Sequence, residues 1–521
     1  MPQCYKMFYW RVSPKVRLSA KFQKAPISSK KIDVRGVFVT SFVHCILWSQ
    51  SFAFACLKGR NRVKNTKLFP CASADVKKMM YICAVILMNL MIIEQLYAIY
   101  RQHPVVTTDS RRCPVGSMFF ALKGETFDGN QYAQKALEAG CAVAVVDDPS
   151  VACDERFVLL DNVLETLQQL AHYHREQLPS KMIIQVTGTN GKTTTKELVS
   201  SVLSQIGPVQ WTQGNLNNHI GVPLTLLTLK DDDGFGIIET GANHPGEIAQ
   251  LSEIVDPDMG LITNVGRAHL EGFGSFEGVK KTKGELYDYI RNHNKIGIFL
   301  NASEENLVAM AGNLPAVRYG LTGAPGAEVW GEVVECNPFV KFRYRQEHTQ
   351  WHTVQTHLIG AYNIHNLMAA VAVGMQFGVP FSLINEALAN YQPTNNRSEF
   401  RDTGRNRLII DAYNANPTSM TAALDNFQQI RAERKMMILG DMRELGEESS
   451  AEHQRIVDKA RESGAEVWLV GELFAQAKHD FRTFRDVEEV KQELQSHPVE
   501  GRTILIKGSN GTRLYQLPEF L

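Results

Sequence analysis

The sequence predicts an α/β protein built from largely parallel sheets in three consecutive blocks. Three observations carry this. A glycine-rich run, VTGTNGKTTT at residues 186–195, sits between an apolar strand candidate and an amphipathic helix pattern. Short apolar runs that end in a polar or acidic residue recur along the chain, separated by stretches of helical length. The 521 residues suffice for about three domains.

The overall charge of zero hides an asymmetry, since residues 1–80 carry 16 Lys/Arg and 2 Asp/Glu while the rest carries 39 and 53. Residues 1–90 also hold five of the nine cysteines, Cys4, Cys45, Cys56, Cys71 and Cys83. No Cys-x-x-Cys spacing occurs, which fits a reducing, cytoplasmic setting and argues against a disulfide or zinc framework. The apolar run at 81–93 is 13 residues long, short of the roughly 20 that span a bilayer, and no signal-peptide cleavage pattern follows it. The basic stretch has no recognisable nucleic-acid module. Residues 1–90 are therefore expected to be an extension without a part in function, the working protein beginning near Met91, with no nucleic-acid partner and no stable membrane insertion.

From Met91 the elements follow in order. The first block, 91–178, offers strands at 117–122, 141–146 and 156–160, then a helix to about Glu176; Pro179-Ser180 marks its end. The second, 179–393, opens with a strand at 182–186. A helix should follow the glycines, with Leu198, Val199, Val202, Leu203 and Ile206 on one face, and further strands are expected at 236–240, 260–264 and 296–300. The third block, 394–521, repeats the pattern with strands at 408–411, 436–440, 467–470 and 503–506, and reads as a second doubly wound sheet.

The glycine-rich run lies where a strand turns into a helix. There, backbone N–H groups of Gly188, Thr189, Asn190, Gly191, Lys192, Thr193 and Thr194 can cradle phosphate, Lys192 can reach the β and γ phosphates, and the Thr193 hydroxyl can ligate magnesium. Two residues separate Gly188 from Gly191, where the general pattern has four. In open α/β sheets ligands bind beyond the carboxyl ends of strands, which places Glu239, Asn264 and Asn301 toward a nucleotide. Glu239 is the natural second oxygen ligand for magnesium. A switching nucleotidase would need a base-specificity motif such as Asn-Lys-x-Asp, and the chain has none.

Further runs extend through all three blocks. They are TDSR at 108–111, LKGETFDG at 122–129, NLNNHIGVPL at 215–224, ETGANHPGE at 239–247, AHLEGFGS at 268–275, GAYNIHN at 360–366, DAYNANPTS at 411–419, LGDMRELG at 439–446 and IKGS at 506–509. With the phosphate loop, residues 91–521 resemble the Mur ligase family. The resemblance implies a three-domain fold with a P-loop parallel-sheet central domain and a Rossmann-like C-terminal domain. The runs at 411 and 439 favour the member that joins D-alanyl-D-alanine to UDP-N-acetylmuramoyl-tripeptide, the last cytoplasmic step in building the peptidoglycan precursor peptide. The alternative is a sibling that adds a single amino acid or acts like folylpolyglutamate synthase, with different third-block motifs.

Carried over residue by residue, the resemblance implies ATP and Mg²⁺ as cofactors. Thr193 and Glu239 would hold one metal and His269 the second, beside Lys283, which matches a lysine that becomes a carbamate. Lys192, His269 and Lys283 are the catalytic candidates. Asn301, Asn363 and Asn366 match positions around the adenine, and Arg397 and Asp411 those reaching ATP from the third domain. Asp109, Ser110 and Arg111 match a segment beside the UDP-sugar. After Asn301 the family often has an Asp pair, where this chain has Ser303-Glu304-Glu305. A monomer is expected.

Overall fold

The computed structural model describes residues 91–268, 270–393 and 396–521; the expectations for residues 1–90 and for His269 lie outside them. Among the described residues no helix is long and apolar enough to cross a membrane.

Three sheets form where the apolar runs cluster. The first is four-stranded and parallel, in the order β1 (Val106–Thr107), β2 (Met118–Phe120), β3 (Val143–Val146), β4 (Phe157–Leu159). The helix Val163–Glu176 follows it, started by Asn162, whose side chain accepts from the Glu165 N–H.

The second sheet has nine strands: β5 (Met182–Thr187), β6 (Val209–Trp211), β7 (Phe235–Glu239), β8 (Met259–Ile262), β9 (Gly297–Asn301), β10 (Ala316–Leu321), β11 (Val329–Cys336), β12 (Phe339–Gln346) and β13 (His352–Ile359). Their order is β13-β12-β11-β10-β9-β8-β5-β7-β6. The chain leaves β5 toward β7 and β6, then returns across it to β8. The carboxyl end of β5 is thus a topological switch point, where a ligand crevice opens. Helix α1 (Lys192–Leu203) starts there, and α2 (Phe276–Asn292) and α3 (Ile364–Gln376) flank the sheet. Helix α3 is apolar almost all round and fully buried over 366–374, packed on Leu198, Val199 and Val202 of α1.

Two expectations change here. Helix α1 stops at Leu203 and leaves Ile206 exposed, because Gly207-Pro208 follow and the residue before a proline disfavours helix. The strand-helix alternation expected through the second block also ends at β10: β11, β12 and β13 form an antiparallel meander. Strand β12 alternates half-buried and buried positions, with Val340, Phe342 and Tyr344 inward, a period of two.

The third sheet runs β14 (Glu399–Asp402), β15 (Arg407–Asp411), β19 (Thr503–Lys507), β16 (Lys435–Gly440), β17 (Glu466–Val470), β18 (Arg482–Phe484). All pairs are parallel except the edge pair β14 and β15. Strands β16 and β19 are buried on both faces, as their unbroken apolar runs predict. Helix α4 (Pro417–Gln429) begins with a capping box between Asn416 and Ser419 and with Pro417 in its first turn.

Candidate active site

The phosphate loop departs from β5 in a conformation only glycine allows without strain. Gly188 and Gly191 sit at φ +142° and +78°. A Cβ on Gly188 would collide with the Thr263 hydroxyl, and one on Gly191 would lie 2.5 Å from Asn366 Oδ1. The segment after β8 staples the loop. Asn264 Oδ1 accepts from the Asn190 N–H at 3.0 Å, Asn264 Nδ2 and Thr263 Oγ1 donate to the Asn190 carbonyl at 2.9 and 2.7 Å, and the Gly266 N–H donates to Thr189 Oγ1 at 2.9 Å. The first-turn N–H groups of α1 are left facing the cavity, as at any helix start. Lys192 bends back and donates to the Gly188 and Thr189 carbonyls at 2.9 and 3.1 Å, while burial lowers its pKa.

Beside the loop, Glu239 ends β7 in a buried position. One carboxylate oxygen, Oε1, accepts from Asn217 Nδ2 at 2.9 Å, and the Glu239 N–H donates to Thr212 Oγ1 at 2.9 Å. The other, Oε2, is buried without a hydrogen-bond partner. Lys196 Nζ stands 4.0 Å away and donates instead to the Thr212 carbonyl at 2.6 Å. A buried carboxylate oxygen left unsatisfied needs an explanation, and a hard cation between Glu239 and Thr193 supplies one. Both residues line the cavity. Among the described residues no three His, Cys, Asp or Glu side chains cluster as a cage. One carboxylate and one hydroxyl are hard oxygen donors of the kind that suits Mg²⁺, which completes its shell with phosphate oxygens and water.

Lys283 projects from α2 into a buried position, its ammonium 5.3 Å from the Phe273 ring centre. Burial first, then the nearby Lys192 charge, push its pKa down to about 7, against the pull of Glu247 and Glu285. It does not itself line the cavity, but Glu247 does.

The wall beyond Gly191 comes from the start of α3. Asn366 Oδ1 accepts from Thr195 Oγ1 at 3.0 Å, Asn366 Nδ2 donates to Asn363 Oδ1 at 2.8 Å, and Asn363 Nδ2 donates to the Ile359 carbonyl at 2.8 Å. Asn363 and Asn366 line the cavity; Asn301 does not, and its buried amide bonds to His365 at 3.0 Å. Sequence reasoning assigned no role to His365 or Glu304, which do line it.

The third sheet closes the opposite side. Arg397 stacks on Tyr413, guanidinium carbon 3.8 Å from the ring centre. Asp411 accepts from the buried Lys507 at 2.6 Å, and Lys507 also donates to the Asn414 carbonyl at 3.2 Å. Asn416 Nδ2 donates to Asn190 Oδ1 at 2.8 Å and so ties this unit to the phosphate loop. All of these residues line one cavity of about 930 Å³. The runs around Lys507 and Asn416 were visible in the sequence; their convergence was not.

Asp109, Ser110 and Arg111 lie apart from this cavity, in the loop between β1 and β2. Arg111 pairs with Asp109 at 2.9 Å on the surface and holds the Asp109 carboxyl down at about 2.

The chain matches three segments in order: the Mur ligase family, catalytic domain over residues 104–175; the Mur ligase middle domain over 186–374; and the Mur ligase, glutamate ligase domain over 396–510. It is similar to the UDP-N-acetylmuramoyl-tripeptide--D-alanyl-D-alanine ligase of Bacillus subtilis, 32% identical over 426 residues covering 79% of this chain and 92% of that protein. The Escherichia coli ligase of the same name is 34% identical over 422 residues, covering 79% and 92%. Among solved structures, MurF from Acinetobacter baumannii superposes with a TM-score of 0.70 at 31% identity, covering 79% of this chain and 92% of that one. With a phosphate loop at the switch point and three family segments in sequence, the chain belongs to the Mur ligase family of ATP-dependent amide ligases.

Proposed function

We propose that this protein joins D-alanyl-D-alanine to UDP-N-acetylmuramoyl-tripeptide, with ATP hydrolysed to ADP and phosphate. The observation that carries the reading is one cavity. It holds the phosphate loop, the orphaned Glu239 oxygen and the Arg397, Asp411 and Lys507 cluster of the third sheet on facing walls. The relatives named for this reaction match over most of their length.

A carboxylate is a poor electrophile, so the terminal carboxylate of the tripeptide first attacks the γ-phosphorus and ADP leaves, giving an acyl phosphate. The dipeptide amine then attacks the acyl carbon and inorganic phosphate departs. With an α-amino pKa of roughly 8, part of the amine is already neutral near pH 7, so positioning matters more than a strong base. The first-turn N–H groups of α1 hold phosphate oxygens. Lys192 exchanges the Gly188 and Thr189 carbonyls for the transferring phosphoryl group and offsets its charge. Thr193 and Glu239 would hold a magnesium ion and His269 a second, and such ions would supply further neutralisation of phosphoryl charge.

Lys283 serves as a carbamate, for which its pKa, lowered by burial to about 7, leaves a substantial fraction of the amine uncharged and nucleophilic toward CO₂ near neutral pH. Arg397 and Asp411 reach the nucleotide from the third unit, and Asp109, Ser110 and Arg111 meet the UDP-sugar. The same reading divides the protein into a precursor-binding domain over 91–178, a nucleotide domain over 179–393 and a third domain over 394–521, and makes it a cytoplasmic monomer.

Phosphate release by the full chain, given ATP, Mg²⁺, UDP-N-acetylmuramoyl-tripeptide and D-alanyl-D-alanine, tests the assignment. Release should require both co-substrates. Equal release with a single amino acid in place of the dipeptide would favour the sibling ligases.

A further inference from the structure

Arg397 stands between two residues held in an unfavourable region of backbone space. Asn396 before it and Ser398 after it both adopt left-handed conformations, at φ +57° and +49°. Asparagine tolerates that region through its short polar side chain, whereas serine gains little such relief. Residues other than glycine persist there only where the surrounding structure over-determines them, and such strain gathers at functional sites. Strand β14 begins one residue later and pairs antiparallel with β15, Glu399 opposite Ile410. Continued two residues back, that register puts Arg397 level with Ala412, between Asp411 and Tyr413.

Three contacts hold this turn. The Ala412 N–H donates to the Asn396 carbonyl at 3.0 Å, and the Arg397 guanidinium lies on the Tyr413 ring. Both partners belong to the unit of the third sheet. The third contact crosses to the other wall, where Ser398 Oγ meets the Tyr362 hydroxyl at 3.0 Å. Tyr362 stands in the turn Ala361–Asn363 that opens α3, and it lines the cavity together with Arg397 and Ser398. Burial first, then the charge of Asp411, raise its pKa. The phenol therefore keeps its proton, and the contact is a hydrogen bond whichever oxygen donates.

We propose that Tyr362 is a positioning residue whose hydroxyl, by holding Ser398 from the facing wall, aims Arg397 into the cavity, a role that rests on the ligase reading above for what Arg397 does there. A left-handed serine relaxes toward ordinary backbone once its tie is cut. Rotation on one side of Arg397 then carries the guanidinium, at the end of a long side chain, away from the reacting phosphate. A misplacement of about 1 Å can cost on the order of a hundredfold in rate, so a hydroxyl remote from the bonds that change sets kcat.

Modification of Arg397 by phenylglyoxal in the full-length protein without substrates, followed by peptide mass mapping, reads the turn independently of activity. Tyr362→Phe removes one oxygen and keeps the ring; Ser398→Ala removes the other and keeps the left-handed strain. Each should speed that modification at least about threefold, with the exposed Arg111 as an unaffected control. In phosphate release with both co-substrates each should lower kcat about tenfold, and the double variant should be no slower than either single one, since both cut the same bond. Ser398→Gly removes the tie and the strain together, so kcat should fall likewise while the melting temperature holds. An unchanged kcat in Tyr362→Phe would overturn the role, whether or not the modification rate moves, and would leave the ligase reading intact. A fall in kcat without faster modification of Arg397 would also overturn it, placing the Tyr362 hydroxyl on a substrate instead. Wild-type protein that releases no phosphate would overturn the ligase reading and with it the catalytic purpose of the turn.

Discussion

Lys192 is held by the loop it serves, donating to two carbonyls of that loop. Removing it takes a charge-stabilising group from the phosphoryl transfer but little from the fold, so Lys192→Ala should lower turnover by at least about a hundredfold with an unchanged melting temperature. Near-normal phosphate release with both co-substrates would contradict this. Lys283 makes a second prediction. An ammonium beside bound cations would repel them and a carbamate would attract them, so Lys283→Ala should lose activity and regain part of it when short carboxylates are supplied. The pH sign follows from the lowered pKa. The amine holds its proton only below about 7, so the carbamate, which needs the neutral amine, should be lost as pH falls through 7. A carbamate carbon signal from ¹³C-labelled bicarbonate should fade over that interval, and a signal constant from pH 8 to pH 6 would remove Lys283 from this role.

At the scale of elements, the turn from β5 into α1 and the packing of α1 on α3 do separate work. Gly191→Ala forces a Cβ into left-handed backbone, costing roughly 1–2 kcal/mol, and also presses it against Asn366. Calorimetry should show ATP affinity falling more steeply than global stability, because the strain sits at the phosphate cradle. The reverse is expected for Leu367, wholly buried on α3. Leu367→Ala should cost about 2–5 kcal/mol in denaturant unfolding and leave the KM for ATP within a few-fold. Comparable losses of affinity in both variants would mean that the loop and the core are not separable.

For the molecule as a whole, among the described residues the third sheet's side of the cavity meets the nucleotide-binding side through the Asn416 to Asn190 bond at the phosphate loop, a Tyr362 to Ser398 hydroxyl contact at 3.0 Å, and long pairs from the half-exposed Arg267 to Glu448 at 3.8 Å and to buried Glu452 at 3.9 Å. Pairs this long with an exposed partner contribute little, about 0–1 kcal/mol, so the relative position of the two units should depend on the part-buried Asn416 and Tyr362 bonds and on the ligand between them. Asn416→Ala is expected to lower kcat several-fold through misplacement of Arg397 and Lys507 while ATP binding in the absence of co-substrates changes little. Loss of ATP affinity equal to the loss of kcat would place Asn416 in nucleotide binding instead.

Local pattern reaches as far as one strand or helix. The phosphate loop was legible because its glycines, lysine and threonines are contiguous and lie between an apolar strand and an amphipathic helix; the all-apolar runs of β16 and β19 announced buried parallel strands for the same reason. The end of α1 at Leu203 and the meander from β11 to β13 were not read, although Gly207-Pro208 and the alternation at Val340, Phe342 and Tyr344 are local signals for both. What no local pattern contains is which residues meet across the chain. Asn301 was expected to face the nucleotide because it ends a strand, and the resemblance put it near the adenine; its side chain bonds to His365, 64 residues away, and it is His365 that lines the cavity. The sequence by itself determined the fold class, the glycine-rich turn between strand and helix and the place of Glu239 at a strand end, since these follow from periodicity and local pattern. Tertiary structure decided which oxygen of Glu239 stays unsatisfied and which third-sheet residues face the loop, because each depends on the hydrogen-bond partners that long-range packing supplies.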